Sequence, residues 1–238
     1  MNISQSQINL YRFCPYAYKL HYQDKQEGIT FDPSVFEVGR RVHDSIDAYY
    51  GNHYHSNVVE QEVLYKVYNI LRNDWDTTLP ASYLKKAYQC LQNFAKFEIN
   101  NIKEGITTKP LTEVKIPSNG LYGIVDYIDL TKPKVVDFKT NSYASVGYDN
   151  KMQATMYKIL VKNRFNLKLD EFTFEFLYPG NTKTVRFAGK EFEEIEKELH
   201  SIKDKIQESW ISSNFPKEPK TERTCNSCEY RYYCSKDV

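Results

Sequence analysis

The chain has 238 residues, 41% of them hydrophobic and 15% aromatic, which is enough apolar material to bury a core and too much for a disordered chain. Its formal net charge is only +1, so the whole-molecule charge neither predicts nor excludes a polyanionic partner, and any nucleic-acid site must be a local groove. No stretch approaches the roughly 20 apolar residues that span a bilayer, and the first residues lack signal-peptide features. We therefore expect a cytoplasmic globular protein with no membrane partner.

The first part of the chain is predicted to be helical. Ser4 or Ser6 can cap a short helix, and Pro15 is suited to begin a second one. A cap within Phe31-Asp32-Pro33-Ser34 then precedes apolar residues at helical spacing, which predict a helix that ends near Gly51. Helical spacing resumes at residue 58 and continues to about residue 104.

The periodicity then changes from helical to alternating. The turn-forming segments 117–120 and 131–133 separate three alternating runs, which predict a three-stranded antiparallel meander. The predicted strands are residues 111–116, 121–130 and 134–140.

After the meander, the pattern predicts a helix, a hairpin and a long amphipathic helix. These elements cover residues 148–163, 171–178, 182–187 and 191–212. The order of elements predicts an α/β fold of the α+β type, with a mixed sheet, in a single domain of residues 1–238. Within that domain we expect a mostly helical part, an αβ core and a C-terminal helix with a cysteine tail, at residues 1–110, 111–190 and 191–238.

Three charged side chains interrupt the apolar runs of the second and third predicted strands. Asp137 and Lys139 share one strand face, and a tight turn would place Asp126 opposite or diagonal to one of them. Two close, partly buried carboxylates repel each other unless a cation lies between them, and oxygen ligands favour Mg²⁺ or Mn²⁺. The alternative is an Asp126–Lys139 ion pair on a solvated face. The surrounding apolar residues favour the buried metal site, because burial of unpaired charge is costly.

Other polar residues fit around this group. Lys139 could orient an attacking water and stabilise charge on a phosphoryl group. Gln153 and Tyr157 lie four residues apart on the next predicted helix and therefore share one face. His43, on the upstream helix, could supply a nitrogen ligand, although a lone histidine on a helix is more often a plain surface or core residue.

The cysteines form a second group. Cys225, Cys228 and Cys234 form a C-x2-C-x5-C tail, which leaves a four-coordinate site one ligand short. Cys14, next to Pro15, is the natural fourth ligand, whereas Cys90 resembles a small core residue. The spacing alone does not decide between zinc and a [4Fe–4S] cluster, and either would staple the chain ends together.

Together these motifs resemble the RecB-type PD-(D/E)xK nucleases with a cysteine clasp, a family that includes the AddB nuclease domain and CRISPR-associated RecB-type exonucleases. Residues 4–15 are similar to its first-cysteine segment, residues 39–43 to its histidine motif, and the order of motifs agrees over almost the whole chain. The resemblance implies a restriction-endonuclease-like core with a helical N-terminal insert. Asp137 stands where the family often has Glu, which shortens the reach to a metal by one methylene.

The resemblance also implies roles for individual residues. The implied catalytic residues are Asp126, Asp137, Lys139, Gln153 and Tyr157. We expect Mg²⁺ or Mn²⁺ to be held by His43, Asp126, Asp137 and the carbonyl of Phe138. The resemblance favours iron over zinc, with a [4Fe–4S] cluster on Cys14, Cys225, Cys228 and Cys234.

The predicted function is hydrolysis of DNA phosphodiesters. By analogy with the family, we expect an exonuclease that acts on single-stranded DNA or DNA ends in recombination, repair or CRISPR adaptation. A helicase or CRISPR integration proteins would be its partners. The alternative is a non-catalytic DNA-binding or assembly subunit of such a complex, and the intact set of His, Asp, Asp and Lys argues against it.

Overall fold

The computed structural model describes residues 1–29 and 34–236, so the predicted cap at residues 31–33 lies outside the described part. Six strands form one sheet that is covered by helices on both faces. None of the helices in the described ranges is long and apolar enough to cross a membrane.

The strands are β1 (Ile3–Ser4), β2 (Leu111–Ser118), β3 (Leu121–Asp129), β4 (Lys134–Lys139), β5 (Glu171–Phe176) and β6 (Asn181–Arg186). The α-helices are α1 (Gln5–Phe13), α2 (Pro15–Tyr18), α3 (Ser34–Asn52), α4 (Glu60–Asp74), α5 (Ala81–Lys103), α6 (Tyr148–Phe165), α7 (Lys190–Ser212) and α8 (Arg231–Lys236). A π-helical turn (Lys19–Gln23) and a 3₁₀ helix (Glu222–Ser227) complete the described elements.

The sheet is mixed, which confirms the predicted fold class. Its strand order is β1-β3-β4-β5-β6, and β2 also pairs with β3. Strands β2, β3 and β4 form the predicted antiparallel meander, whereas β1 runs parallel to β3 and β5 runs parallel to β4. The antiparallel hairpin of β5 and β6 was also predicted, but the short β1 was not. Two residues of alternating pattern are too few to distinguish a strand from a helix cap.

The turn between β2 and β3 fixes the register of the meander. Asn119 and Gly120 both have positive φ angles, of 50° and 77°, as the two central residues of a type I′ hairpin turn require. Ser118 therefore pairs with Leu121, and the register continues to the pair Leu111–Ile128.

Two hydrophobic cores lie on opposite faces of the sheet. One contains residues of α1, α6 and α7, such as Leu160 and Leu199, packed on Val125 of β3. The other contains residues of α3, α4 and α5, such as Phe94, packed on Phe138 of β4. Because α3 and α6 cover opposite faces, side chains at the end of β4 can meet residues from both helices.

The helical stretch predicted between residues 58 and 104 is two helices. The break between α4 and α5 falls at residues 75–80, and Pro80 is the N-cap of α5. A proline disfavours helical conformation in the residue before it, which explains the break. The predicted caps at the N-terminus are confirmed, because Ser4 and Gln7 form a capping box for α1 and Pro15 begins α2.

Candidate metal and active site

The meander is distorted at one position that involves both β2 and β3. The β2–β3 register passes from Thr112–Tyr127 to Val114–Val125 and skips the pair Glu113–Asp126 between them. Glu113 has a φ of 46°, in the left-handed region that non-glycine residues rarely adopt. The distortion turns both carboxylates toward α3.

His43 of α3 lies beside these two carboxylates. Its Nδ1 atom is 3.3 Å from Glu113 Oε1 and 3.7 Å from Asp126 Oδ2. Within residues 1–29 and 34–236, these three are the set of His, Cys, Asp and Glu side chains whose ligand atoms all lie within 4.8 Å of one another. One nitrogen and two carboxylates at this spacing could hold a small divalent cation.

A backbone carbonyl orients the imidazole of His43. The Nε2 atom lies 3.0 Å from the carbonyl oxygen of Phe138. Since a carbonyl can only accept, Nε2 carries the proton in this contact, which leaves Nδ1 free to act as a ligand in the neutral ring. Phe138 thus acts on the cluster through His43, and its predicted role as a metal ligand stays a prediction.

The β4 backbone holds Asp126 in place. Phe138 N–H donates to Asp126 Oδ2 at 2.7 Å, at the point beyond the last β3–β4 pair, Tyr127–Val136. The carboxylate therefore takes the place of a backbone acceptor where the two strands separate. It is buried, with only 8% of its surface exposed.

The charges of the cluster affect one another strongly. Burial and the nearby carboxylate of Asp137 raise the pKa of Asp126 to about 7. Burial opposes the charge on His43, but Asp126 and Glu113 outweigh it and raise the pKa of His43 to about 9. A site that retains protons this strongly concentrates negative charge, and a cation would compete with those protons for it.

A hydrogen-bonded chain continues from the cluster to α6. Lys139 Nζ donates to Gln153 Oε1 at 2.9 Å, and Gln153 Nε2 donates to Asp137 Oδ1 at 2.8 Å. Tyr157 O–H donates to the carbonyl of Ile124 in β3 at 2.6 Å and lies 3.4 Å from Gln153 Nε2. Gln153 and Tyr157 therefore face the strand carboxylates, as the helical spacing predicts.

Helix α6 approaches β3 closely because of one glycine. A Cβ atom at Gly123 would lie 2.7 Å from the Tyr157 ring and 2.8 Å from a methyl group of Leu160. Both distances are shorter than real Cβ atoms tolerate, so the absence of a side chain at this position sets the distance between α6 and the sheet.

The buried oxygens of Asp137 indicate that a cation would fit. Asp137 Oδ2 lies 2.7 Å from Lys139 Nζ, but it accepts no hydrogen bond, so this contact is an ion pair without hydrogen-bond alignment. The ammonium group of Lys139 balances the charge of this oxygen and leaves its hydrogen-bonding capacity unused. Mg²⁺ or Mn²⁺ near Asp126 and Asp137 would relieve the repulsion between these two buried carboxylates, and the donor set of carboxylates and imidazole suits either ion.

The four predicted cysteine ligands lie together around one cavity. A cavity of about 50 Å³ is lined by residues of α2 and the C-terminal tail, including Cys14, Cys225, Cys228 and Cys234. Lys220 N–H donates to the carbonyl of Phe13 at 3.0 Å, which joins the tail to the N-terminal segment. Cys90, in contrast, is fully buried in the α3–α5 core, as predicted.

The thiols influence one another at this position. Burial raises the pKa of Cys14, and the neighbouring sulfurs of Cys234 and Cys225 raise it further. Burial likewise raises the pKa of Cys228, with contributions from the other three cysteines. Four thiolates in one apolar cavity require a positive partner, so the residues fit a four-thiolate metal centre.

Comparison with known proteins identifies the family of the chain. The family model described as the PD-(D/E)XK nuclease superfamily matches residues 2–235. The chain therefore belongs to the PD-(D/E)XK nuclease superfamily, whose members are metal-dependent nucleases that use Mg²⁺ or Mn²⁺. No curated protein matches the sequence. A solved structure described as "Crystal structure of SSO0001" is similar over 86% of this chain and 97% of that chain, with 14% sequence identity and a TM-score of 0.36.

The structure brings together every residue that the sequence predicts for the active site, and it adds one. Glu113 was missed because simple alternation in β2 places it on the same face as Lys115, which is exposed. The signal that could have found it is the Asn119-Gly120 turn. Counting equally outward from that turn places Glu113 opposite Asp126.

Proposed function

We propose that this chain is a metal-dependent deoxyribonuclease that acts as an exonuclease on single-stranded DNA or DNA ends. The observation that carries the proposal is the convergence, at the end of β4, of the His43–Glu113–Asp126 cluster with the pair Asp137 and Lys139. Membership of the nuclease superfamily supports hydrolysis of nucleic acid, and the resemblance described above favours DNA and exonuclease action.

In the proposed mechanism, His43, Glu113, Asp126 and Asp137 would hold the cation. Bound Mg²⁺ or Mn²⁺ would supply Lewis-acid polarisation of the scissile phosphate. Glu113 joins the predicted ligand set because its carboxylate is the nearest acid to His43 Nδ1.

The side chain of Lys139 positions the attacking water and stabilises the negative charge that develops on the phosphoryl group. Its ammonium group is set by two contacts, with Asp137 and with the amide oxygen of Gln153. Gln153 in turn orients Asp137, so the amide couples the position of the lysine to that of a metal ligand. Tyr157 braces Gln153 against β3.

The test of this proposal is a panel of single-stranded, flapped and blunt DNA substrates in Mg²⁺ and in Mn²⁺. We expect cleavage by the wild-type chain and none by Lys139→Ala, with DNA binding and the circular dichroism spectrum retained. Lys151→Ala is the matched control, because this lysine lies on α6 and pairs with Glu191 outside the cluster. Wild-type rates for Lys139→Ala in Mn²⁺ would contradict the site assignment.

The same panel tests the alternative of a non-catalytic DNA-binding or assembly subunit. That function predicts measurable DNA binding and no cleavage of any substrate with any divalent metal. The complete hydrogen-bonded chain from Asp137 through Gln153 to Lys139 favours catalysis, because a binding subunit has no need to align a lysine with a buried carboxylate.

We further propose that Cys14, Cys225, Cys228 and Cys234 bind a [4Fe–4S] cluster that fastens the C-terminal tail to α2. Their common cavity supports a four-thiolate centre, and the resemblance to clasp-containing RecB-type nucleases favours iron over zinc. Anaerobic purification followed by iron, sulfide and zinc analysis and a visible absorption spectrum distinguishes the two. A colourless protein with one zinc per chain would contradict the iron assignment.

The resemblance extends the proposal to the cellular setting. A RecB-type nuclease would work in the cytoplasm in recombination, repair or CRISPR adaptation, with a helicase or CRISPR integration proteins as partners. Co-purification of the chain with products of neighbouring genes tests this setting independently of the cleavage assay.

A further inference from the structure

The loop that follows Lys139 presents an aromatic ring to solvent. Tyr143 is 80% exposed, whereas Ala144 and Val146 of the same loop pack against the hydrophobic core. The side chain of Asn141 donates to the carbonyl of Tyr143. The backbone of the loop is thus anchored on both sides of the residue while its ring points outward.

A second exposed ring lies on α3. Phe36 is 72% exposed and lies seven residues before His43, so the two residues share one face of the helix. Seven residues of α-helix span about 10 Å. Phe36 therefore lies about 10 Å along the helix from His43, which is the length of a few nucleotides of a DNA strand.

The loop and the helix meet next to the site. A Cβ atom at Gly39, which lies on the same helix face between Phe36 and His43, would be 3.2 Å from Thr140 Oγ1. Thr140 directly follows Lys139, and the Cα atom of Tyr143 can lie no more than about 14 Å from that of Lys139. The start of the loop therefore packs against α3 between Phe36 and His43, and Tyr143 lies three residues further along the loop.

The two arginines of α3 near this surface are already paired with carboxylates. Arg40 contacts Glu37 at 2.6 Å and Asp44 at 3.5 Å, and Arg41 contacts Glu37 at 3.5 Å. Guanidinium groups that are balanced in this way attract phosphates weakly. Aromatic faces are what this surface offers, and they bind bases that are unstacked and unpaired.

We propose that Tyr143 and Phe36 are positioning residues that hold the unpaired end of a DNA strand by stacking on its bases. This role rests on the proposed nuclease function and narrows its substrate to strands with at least a few single-stranded nucleotides at the cleavage site. A fully paired duplex cannot use the two rings, because its bases are stacked on one another.

The test measures binding without cleavage, in EDTA, to two oligonucleotides of equal length. One carries thymine bases, and the other carries abasic sugars with the same phosphates. We expect Tyr143→Ala and Phe36→Ala each to weaken binding of the thymine strand roughly tenfold and to leave binding of the abasic strand unchanged. Tyr143→Phe should bind like the wild type, since it keeps the ring.

Tyr65→Ala is the matched control, because Tyr65 is 70% exposed on α4, a helix that contributes no residue to the site. A kinetic measurement in Mn²⁺ adds a second readout, in which the stacking variants should raise KM for frayed ends and leave kcat unchanged.

Each outcome of the binding test decides the role. An equal loss on both strands, no loss on either, or no binding of single strands by the wild type would overturn it. A chain that binds with the expected base dependence but cuts no substrate would contradict the proposed nuclease function and still support stacking. A chain that cuts while Tyr143→Ala and Phe36→Ala bind normally would do the reverse.

Discussion

The carboxylate site and the cysteine cluster both join residues that are far apart in the sequence, but different structures hold them. Asp126 and Asp137 lie on neighbouring strands inside the sheet, with hydrogen bonds from Phe138 N–H and Gln153. Three of the four cysteines lie in a tail whose helical segments are six residues each. The comparison teaches that the first site is built inside the sheet, whereas the second joins a tail to the N-terminal segment through a small apolar cluster around Tyr230.

The same comparison applies to the role of a metal. A cation at the carboxylates would relieve repulsion in a structure that already exists. A metal at the cysteines would add to the few apolar contacts that fix the tail, whose short helices are marginal by themselves. We therefore expect loss of the cation to abolish activity and leave the fold, and loss of the cysteine-bound metal to release the tail.

Asp126→Asn is expected to have the largest effect on activity. It removes a charged ligand and should reduce cleavage by about 10³-fold or more. The asparagine oxygen can still accept from Phe138 N–H, so the fold should persist. The pKa of Asp126 is raised to about 7, so the stability that its protonated form provides is present below about pH 4 and lost as pH rises through 7.

The substitution also removes the carboxylate that raises the pKa of His43 to about 9, so at pH 8 the two effects on stability oppose each other. We therefore expect the stability of the variant in EDTA at pH 8 to differ from that of the wild type by less than about 1 kcal/mol. Cleavage rates in Mn²⁺ and thermal unfolding with and without the metal measure both effects. A variant that is inactive because it has unfolded would contradict the expectation that the fold persists without the cation.

Cys228→Ser tests the other side of the comparison. Loss of one of the four ligands should remove the metal and expose the tail beyond α7 to protease. Proteolysis of the tail should then be on the order of 10²-fold faster. Limited proteolysis followed by mass spectrometry gives the rate and the position of cutting. Cys90→Ala is the control that should keep the metal, since Cys90 lies in the core of α3, α4 and α5 and does not line the cavity of the other four cysteines. An intact tail in metal-free Cys228→Ser would mean that packing alone holds it.

Gln153→Leu should have a smaller effect, about 10- to 100-fold on cleavage, because Gln153 orients Lys139 and Asp137 without touching the phosphate. Isothermal titration with Mn²⁺ should show weaker binding in the same variant. Slower cleavage with unaltered metal affinity would mean that the Gln153 amide orients Lys139 and has no effect on the metal ligand Asp137.

Glu98→Gln should have the smallest effect and should leave cleavage unchanged. Glu98 is buried in the α3–α5 core, where it accepts a hydrogen bond from Tyr50. Burial raises its pKa to about 7, so the stability tied to its protonated form is present below about pH 4.5 and lost as pH rises through 7.

The unfolding temperature of Glu98→Gln should therefore exceed that of the wild type by a few degrees at pH 8 and match it at pH 4.5, corresponding to at most about 3 kcal/mol. Calorimetry across this range measures the difference. Glu104→Gln, on an exposed position of the same region, should show no such dependence. A constant difference at all pH values would contradict the buried titration.

Much of this arrangement could be predicted from the sequence where a local pattern dictates it. The meander follows from alternation and from the turn at Asn119-Gly120, and Gln153 with Tyr157 follows from helical spacing. The sequence also indicated that Cys14 completes the tail. The first two follow from local patterns, whereas Cys14 follows from the need of the three tail cysteines for a fourth ligand.

The remainder depends on tertiary packing. Alternation in β2 does not distinguish Glu113 from its exposed neighbour Lys115, and the skipped Glu113–Asp126 pair with its left-handed backbone is evident only in the folded sheet. The contact of His43 with the Phe138 carbonyl requires α3 to lie across the sheet, which no spacing within α3 encodes. The division of the single domain into parts at residues 1–110, 111–190 and 191–238 stays a prediction.

The left-handed backbone of Glu113 has a consequence for how the site meets its ion. A free chain seldom visits this conformation, so its cost, about 1 kcal/mol, is met when the protein folds rather than when the cation arrives. A ligand that is set in advance cannot readily move outward to suit a larger ion. We expect the pocket to discriminate by ionic radius, accepting the short oxygen distances of Mg²⁺ or Mn²⁺ and disfavouring the longer ones of Ca²⁺.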